Sequence, residues 1–164
     1  MIQVVIVTVS DSAVAGTRAD RSGPALHARV EALGWSVRAQ ELVADERDQI
    51  AAVLRRWSDS PETLVILTTG GTGVALRDVT PEATGDVIER EVPGVGELMR
   101  AEGRKVTPFA VLSRGLAGLR GQTLIVNLPG SPKGAVESLD SIAKLIPHII
   151  DLLEGRTSHA NVSN

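Results

Sequence analysis

The sequence predicts an α/β domain: a three-layer α/β/α sandwich in which a mainly parallel sheet carries helices on both faces. Strand-like and helix-like segments alternate along the whole chain of 164 residues. Several strand-like segments are continuous apolar runs, which is typical of parallel strands buried on both faces. Residues 1–164 contain no repeat, linker or low-complexity stretch, so we expect a single domain, with 157–164 as a flexible tail.

The first half of the chain predicts three strands separated by two helices. Pro24 suits the first turn of the first helix and Gly34 suits its end, while Asp45 stands where the second helix needs an N-cap. Strand and helix alternate here in the order QVVIVTVS, GPALHARVEALG, WSVRAQELV, ERDQIAAVLRRWSD and TLVILTTG.

The second half predicts further helices and one more buried strand. Thr80 can cap a helix with Pro81 at its first position, and the last helix is expected to bend or restart near Pro147, because proline removes a backbone donor. In order, the segments are the helices PEATGDVIERE and GELMRAEGRK, the stretch TPFAVLSRGLAGLRGQ with a short helix, a loop and an edge strand, the strand TLIVNLP and the helix PKGAVESLDSIAKLIPHIIDLLEG.

The composition argues against several classes of function. The chain has no Cys, which excludes disulfides, thiolate zinc sites and cysteine nucleophiles. One Phe, two Trp and no Tyr leave little surface for stacking bases, and a net charge of -3 provides no basic field, so no nucleic-acid partner is expected. The N-terminal apolar run lacks a basic flank and is too short to span a membrane, so we expect a cytoplasmic protein with no membrane partner.

Small, hydroxyl and carboxylate side chains follow four of the predicted strands. Ligands of open parallel sheets bind outside the carboxyl ends of the strands, so these segments are expected to meet at one edge. They contain Ser10 and Asp11 after the first strand, Asp45 after the second, Gly70, Gly71, Thr72, Gly73 and Asp78 after the third, and Asn127, Gly130, Ser131 and Lys133 after the last.

The segment TTGGTG predicts a phosphate-binding loop. Successive glycines let the main chain approach a ligand closely and turn several N–H groups toward an anion. The loop lacks the Gly-Lys-Ser/Thr of a Walker A motif, and Leu76 occupies the third glycine position of a dinucleotide fingerprint. A plain flexible turn is the alternative interpretation.

Asp45 and Asp78 could hold Mg²⁺ beside this loop, because phosphoryl and nucleotidyl transfer use a cation that carboxylate oxygens ligate. Each has a structural alternative. Asp45 could simply cap a helix, and Asp78 could form an ion pair with Arg77 or remain a solvated charge. Asp11 could equally accept hydrogen bonds from loop N–H groups.

Two basic residues, Arg114 and Lys133, could bind an anionic ligand, and an exposed position is the alternative for each. The three histidines, His27, His148 and His159, show no metal-ligand spacing. Carboxylates are therefore the favoured ligands for any metal ion.

Three long segments resemble the molybdopterin adenylyltransferases of molybdenum-cofactor biosynthesis. They are TVSDSAVAGTRADRSGP, LTTGGTGVALRDVTPEAT and PFAVLSRGLAGLRGQTLIVNLPGSPKG, which together cover nearly the whole chain in order. The resemblance implies Mg²⁺-dependent transfer of AMP from ATP to molybdopterin, whose terminal phosphate attacks the α-phosphorus and releases pyrophosphate. It also implies a homotrimer and a possible partner protein for molybdenum insertion.

The resemblance also implies roles for residues at the matching motif positions. The family's two functional aspartates correspond to Asp45, where Ala44 replaces the usual proline, and to Asp78. The nucleotide and its phosphates are assigned to Ser10, Asp11, Gly70, Gly71, Thr72 and Gly73. The pterin is assigned to Ser113, Arg114, Pro129, Gly130, Ser131 and Lys133, and Ser131 stands where many relatives have Asn.

Two other functions remain open from sequence. One is a paralogue that binds molybdopterin or scaffolds an assembly without turnover, and the other is a nucleotide pyrophosphatase on the same fold. Fold alone does not fix function, so all three hypotheses predict the same architecture. They differ in whether pyrophosphate is released and whether its release requires molybdopterin.

Overall fold

The computed structural model describes residues 1–156, which form one six-stranded sheet with helices on both sides. The predicted tail 157–164 lies outside the described residues. The strands are β1 (Gln3–Val9), β2 (Ser36–Val43), β3 (Val65–Thr69), β4 (Arg90–Glu91), β5 (Ala117–Arg120) and β6 (Thr123–Leu128).

The sheet is mainly parallel, as the apolar runs predicted. Its spatial order is β2–β1–β3–β6–β5–β4. The first four of these strands pair in parallel, whereas β5 pairs antiparallel with both β6 and β4. The carboxyl ends of β2, β1, β3 and β6 therefore lie on one rim of the sheet.

Seven α-helices and one 3₁₀ helix lie within residues 1–156. The break expected near Pro147 is confirmed, because one helix ends at Ile142 and the next begins at Ile146. The helices are α1 (Asp11–Val14), α2 (Ser22–Ala32), α3 (Arg47–Ser58), α4 (Thr80–Gly85), α5 (Pro93–Arg104), the 3₁₀ helix (Pro108–Leu112), α6 (Pro132–Ile142) and α7 (Ile146–Leu153).

The helices form two layers because the central strands are apolar on both faces. Successive side chains of a strand point to opposite sides, so Val4 and Ile6 face one layer and Val5 and Val7 face the other. The first layer contains α2, α5, α6 and α7, and the second contains α3 and α4. The three-layer sandwich is confirmed, and no helix within residues 1–156 has the length and apolarity that crossing a bilayer requires.

The helix predicted over PEATGDVIERE is shorter in the structure. It ends at Gly85, and Arg90–Glu91 form β4 against β5. The flanking N–H of Glu89 also donates to the carbonyl of Leu119, at 2.8 Å. The backbone here finds its hydrogen-bond partners in a distant part of the chain, which the local helical pattern could not reveal. β4 rather than β5 is therefore the edge strand.

Candidate active site

The glycine loop, Gly70–Gly73, leaves the sheet directly after β3. The φ angles of Gly70 and Gly71 are 100° and 67°, in the left-handed region that favours glycine. A Cβ on Gly70 would lie 2.3 Å from the carbonyl oxygen of Val9, and one on Gly71 would lie 2.3 Å from Thr80 Oγ1. Torsion and space both require glycine at these two positions.

Neighbouring residues hold the glycine loop in place. Contrary to the prediction, the side chain of Thr80 does not cap a helix, because its hydroxyl instead donates to the carbonyl of Gly70, at 2.9 Å. Its N–H donates to the carbonyl of Gly71, at 3.1 Å. On the other side, the hydroxyl of Thr69 donates to the carbonyl of Pro129, at 2.6 Å, which joins the loop to the segment after β6.

Asp11 and Asp45 bind each other's backbone across the ends of β1 and β2. The N–H of Asp11 donates to Asp45 Oδ2 at 2.9 Å, and the N–H of Asp45 donates to Asp11 Oδ1 at 3.0 Å. Glu46, not Asp45, occupies the N-cap position of α3, so the helix-cap alternative for Asp45 is wrong. The predicted alternative for Asp11, an acceptor for a loop N–H, is what the structure contains.

Arg77 forms ion pairs with Asp11 and with Glu46, the residue after Asp45. Its Nε donates to Asp11 Oδ2 at 2.6 Å, and its Nη2 donates to Glu46 Oε1 at 2.9 Å. The ion-pair alternative for Asp78 is therefore wrong, since Arg77 binds other partners. Hydrogen bonding from Arg77 lowers the pKa of Asp11, whereas burial, with added repulsion from Asp11 and Asp78, raises the pKa of Asp45.

Asp45 and Asp78 flank the glycine loop, each with one carboxylate oxygen held by a main-chain N–H. Asp78 Oδ2 accepts from Ala75 at 3.0 Å, as Asp45 Oδ2 accepts from Asp11. The second oxygen of each carboxylate has no hydrogen-bond partner within residues 1–156. A Cβ on Gly71 would lie 3.2 Å from Asp45 Oδ1, and one on Gly73 would lie 2.8 Å from Asp78 Oδ2, so both carboxylates lie against the loop.

This donor set fits Mg²⁺ that is shared with a phosphorylated ligand. Protein sites for Mg²⁺ commonly use one or two carboxylates, with water and substrate phosphates completing the octahedron. Within the described part of the chain, no group of three His, Cys, Asp or Glu side chains is placed to hold a metal by itself. Two carboxylates beside the glycine loop match the shared arrangement.

Two clefts open at this rim of the sheet. The larger, of about 770 Å³, lies between α5, the 3₁₀ helix and α6, and the smaller, of about 430 Å³, lies between the end of β1 and the start of α2. Gly130 and Ser131 line both clefts and form their common border. Two adjoining cavities of this size can accommodate two small ligands side by side.

The structure brings most of the predicted binding residues to these clefts. Ser10 and Gly70 line the smaller one. The larger cleft is lined by Gly71, Thr72, Gly73, Asp78, Ser113, Pro129, Gly130 and Ser131. Four predicted residues line neither cleft, namely Asp11, Asp45, Arg114 and Lys133. Lys133 is exposed, with its Nζ 3.8 Å from Glu137 Oε1, so the exposed alternative applies to it.

The N-terminus of α6 lies at the border between the clefts. Ser131 is its N-cap, and its hydroxyl oxygen accepts from the N–H of Gly134, at 3.1 Å. Pro132 has no N–H, and the N–H groups of Gly134 and Ala135 already donate to Ser131, so it is mainly the positive end of the helix dipole that attracts an anion here. Together with the glycine loop, this helix start provides an electropositive backbone surface at the rim that carries Asp45 and Asp78.

The contacts of Arg77 and Glu82 could not be predicted from the sequence. Arg77 binds Asp11 and Glu46, and Glu82 forms an ion pair with Arg114 whose hydrogen bonding lowers the pKa of Glu82. Both residues belong to the motif RDVTPE, in which only Asp78 was predicted to bind a ligand or metal. The motif places the cation Arg77 directly before Asp78 and the anion Glu82 four residues after it, which could have indicated a role for both. Their partners lie far away in the sequence, so the motif alone does not identify them.

A three-layer domain with a glycine loop and carboxylates at the carboxyl rim of its sheet belongs to the class of α/β proteins that bind phosphorylated ligands. Residues 5–148 match the family described as the probable molybdopterin binding domain. The chain belongs to this family, which confirms the resemblance found in its motifs.

Individual relatives agree with this assignment. The chain is 42% identical over 165 residues to the molybdopterin adenylyltransferase of Helicobacter pylori strain J99, covering 99% of this chain and 94% of that protein. It is 43% identical to the molybdenum cofactor synthesis protein cinnamon of Drosophila melanogaster, covering 96% of this chain but only 27% of that protein. The crystal structure of the molybdopterin biosynthesis enzyme MoaB from Thermus thermophilus is 51% identical with a TM-score of 0.89, covering 94% of this chain and 98% of that one.

Proposed function

We propose that this chain is a molybdopterin adenylyltransferase, which transfers AMP from ATP to molybdopterin and releases pyrophosphate. The proposal is supported by the Helicobacter pylori relative of that name, which matches nearly its whole length. The observation that carries it is the placement of Asp45 and Asp78 on either side of the glycine loop. Each presents a carboxylate oxygen that no donor within residues 1–156 engages.

The chemistry requires positioning more than covalent help from the protein. An oxygen of the terminal phosphate of molybdopterin attacks the α-phosphorus of ATP, the bond between the α- and β-phosphates breaks, and pyrophosphate leaves. Both reactants are anionic, so the site must hold their phosphates together against repulsion. The N–H groups of Gly71, Thr72 and Gly73 and the positive end of the α6 dipole are suited to this task, because they attract phosphate without a charged side chain. The N–H of Gly70 is already engaged by the carbonyl of Leu128.

Asp45 and Asp78 would hold Mg²⁺, which when bound neutralises charge on the phosphate oxygens. The nucleotide phosphates are assigned to Gly70–Gly73 and Ser10. The pterin is assigned to the larger cleft, whose predicted contacts are Ser113, Pro129, Gly130 and Ser131. Asp11 acts through Asp45, because both of its carboxylate oxygens are already engaged by protein donors.

The remaining expectations follow from the resemblance. We propose a homotrimer that works in the cytoplasm and hands its product to a protein that inserts molybdenum. Exposed apolar side chains around the 3₁₀ helix, including Phe109 at 74% exposure, support self-association of the chain. Sedimentation at three times the chain mass is the expected result.

The function is tested by measuring pyrophosphate release under anaerobic conditions with ATP, Mg²⁺ and molybdopterin. We expect release only when both substrates are present, and a fall of about 100-fold in Asp78→Asn with molybdopterin binding retained, because the amide cannot replace the charged oxygen. Asp59→Asn is the control, since Asp59 pairs with Arg120 outside both clefts.

The other outcomes identify the alternatives. Release of pyrophosphate without molybdopterin would indicate a pyrophosphatase. Saturable binding of both substrates without release would indicate a binding paralogue. A rate near wild type in Asp78→Asn would remove Asp78 from the catalytic residues.

A further inference from the structure

Arg114 donates hydrogen bonds to the glycine loop and to the segment that follows it, from both its backbone and its guanidinium. Its N–H donates to the carbonyl of Thr72, at 2.7 Å, and its Nε donates to the carbonyl of Gly73, also at 2.7 Å. Its Nη2 donates to the carbonyl of Asp78, at 2.6 Å, and its Nη1 to the carboxylate of Glu82. One residue thus binds both ends of the segment 73–78 and the first turn of α4.

The segment 73–78 has little else to hold it. Val74 is 70% exposed and Leu76 is 99% exposed, so apolar burial does not fix its path. A turn within the segment, in which the N–H of Asp78 donates to the carbonyl of Ala75 at 3.0 Å, fixes its shape but does not attach it to the domain. Two arginines attach the segment to the domain. Arg77 binds Asp11, and Arg114 binds the carbonyls of Gly73 and Asp78.

The directions of the Arg114 bonds also oppose a direct contact with the pterin. All three nitrogens of its guanidinium donate to loop carbonyls or to Glu82, and the residue does not line the larger cleft. Ser113, the preceding residue, does line that cleft. The motif LSR therefore contributes Ser113 to the cavity and Arg114 to the loop.

We propose that Arg114 is a positioning residue: with Glu82, it holds the glycine loop and Asp78 in the conformation that binds the nucleotide phosphates. This inference rests on the proposed function for the identity of the ligand. Its structural part, the attachment of the loop, does not depend on any ligand. Gly73 and Asp78 also line one part of the larger cleft, whose remaining walls come from α5, the 3₁₀ helix and α6. Loss of Arg114 should therefore weaken MgATP binding more than molybdopterin binding.

The first measurement is backbone hydrogen exchange of the full chain without ligands. We expect amides within 72–79 to exchange about tenfold faster or more in Arg114→Met, because several hydrogen bonds to a charged donor are lost. Arg114→Lys should also exchange faster, since a single ammonium cannot reach both carbonyls and Glu82 together. Arg120→Met is the matched control, because Arg120 binds the Asp59 carboxylate and the Val87 carbonyl away from the loop.

The second measurement is calorimetric binding of MgATP and, separately, of molybdopterin under anaerobic conditions. Arg114→Met should weaken MgATP binding about tenfold or more and weaken molybdopterin binding by a smaller factor. Glu82→Gln should weaken MgATP binding by a smaller factor, and the double variant should be no worse than Arg114→Met, because the two side chains act together.

Two results would overturn the proposal. One is unchanged exchange within 72–79 in both Arg114 variants. The other is loss of molybdopterin binding with MgATP binding retained, which would make Arg114 a pterin contact. If the unaltered protein does not bind MgATP, the proposed function fails, and the exchange measurement still decides whether Arg114 holds the loop.

Discussion

The aspartates at the rim of the sheet have different surroundings and therefore different tasks. Asp11 is engaged through both oxygens by Arg77 and by the N–H of Asp45, so it is suited to a structural role. Asp45 and Asp78 each keep one oxygen free of donors within residues 1–156. The hydrogen-bond partners of each carboxylate thus indicate its role as clearly as its position does. Gly71 lies beside Asp45 and Gly73 beside Asp78, and neither glycine has a Cβ that would displace the carboxylate.

Gly73→Ala should lower the rate of adenylyl transfer about tenfold or more, with a change in the free energy of unfolding within about 1 kcal/mol. The added Cβ would lie 2.8 Å from Asp78 Oδ2 and would push that carboxylate from its position. The φ angle of Gly73 is not positive, so alanine introduces no backbone strain there, and a lower rate can be attributed to the displaced Asp78 carboxylate. Steady-state pyrophosphate release and urea unfolding provide the two measurements.

Gly94→Ala is the control for this substitution, because no atom lies within 4 Å of a Cβ at that position in α5. It should leave the rate unchanged. An equal loss of activity in both alanine variants would contradict the role given to the space around Asp78.

Asp45 lies in the connection between β2 and α3. A cluster of polar side chains holds these two elements together. Glu41 of β2 accepts from Arg56 Nη2 at 2.7 Å and from Trp57 Nε1 at 2.8 Å. Arg56 also lies over the Trp57 ring, 5.5 Å from its centroid. Burial opposes ionisation of Glu41, but these two hydrogen bonds prevail and lower its pKa.

Glu41→Gln should destabilise the protein by about 1 kcal/mol or less at neutral pH. Because the pKa of Glu41 is lower in the folded protein, its charge stabilises the fold above the ordinary glutamate range. That contribution is lost as the pH falls through the folded pKa. The difference in unfolding free energy between Glu41→Gln and wild type should therefore shrink in acid, as urea titrations at several pH values would measure.

Glu62→Gln is the control, since Glu62 pairs with Arg38 but is 76% exposed at its side chain. We expect a smaller effect at neutral pH. A Glu41→Gln difference that grows in acid would contradict the sign of the pKa shift.

Asn127 connects three parts of the domain: the parallel strands, the antiparallel strands and α4. Its Nδ2 donates to Thr68 Oγ1 at 3.0 Å and to Thr84 Oγ1 at 2.9 Å, and its Oδ1 accepts from the N–H of Leu116 at 3.3 Å. Asn127 is 1% exposed, so no solvent can replace these bonds. The network fixes α4, and with it Thr80, against the strands that carry the glycine loop.

Asn127→Leu should therefore cost about 3 kcal/mol of unfolding free energy and lower the Tm by about 6–12 °C, because buried polar groups lose their partner. Calorimetry and urea unfolding measure both quantities. Gln122→Leu replaces an exposed amide and should change stability little. A loss below about 1 kcal/mol in Asn127→Leu would show that the network contributes little to stability.

Much of the fold could be predicted because its signals are local. The apolar runs of β1, β3 and β6 predict strands buried on both faces, and Pro147 predicts the break between α6 and α7. The short β4 was missed, since two exposed residues become a strand only by pairing with β5. The helical spacing around it favours a helix until that distant partner is known.

The parallel core, the glycine loop, the meeting of the strand ends and the family can all be predicted from the sequence. Apolar periodicity and the backbone freedom of glycine act over a few residues and need no partner. Two contacts could be known only from the folded structure. Asp45 accepts the N–H of Asp11 rather than capping α3, and Arg114 binds the loop rather than lining the larger cleft. The partner of a charged side chain depends on which residues folding places next to it. Arg114 and Glu82 lie 32 positions apart in the sequence and come into contact only in the folded protein.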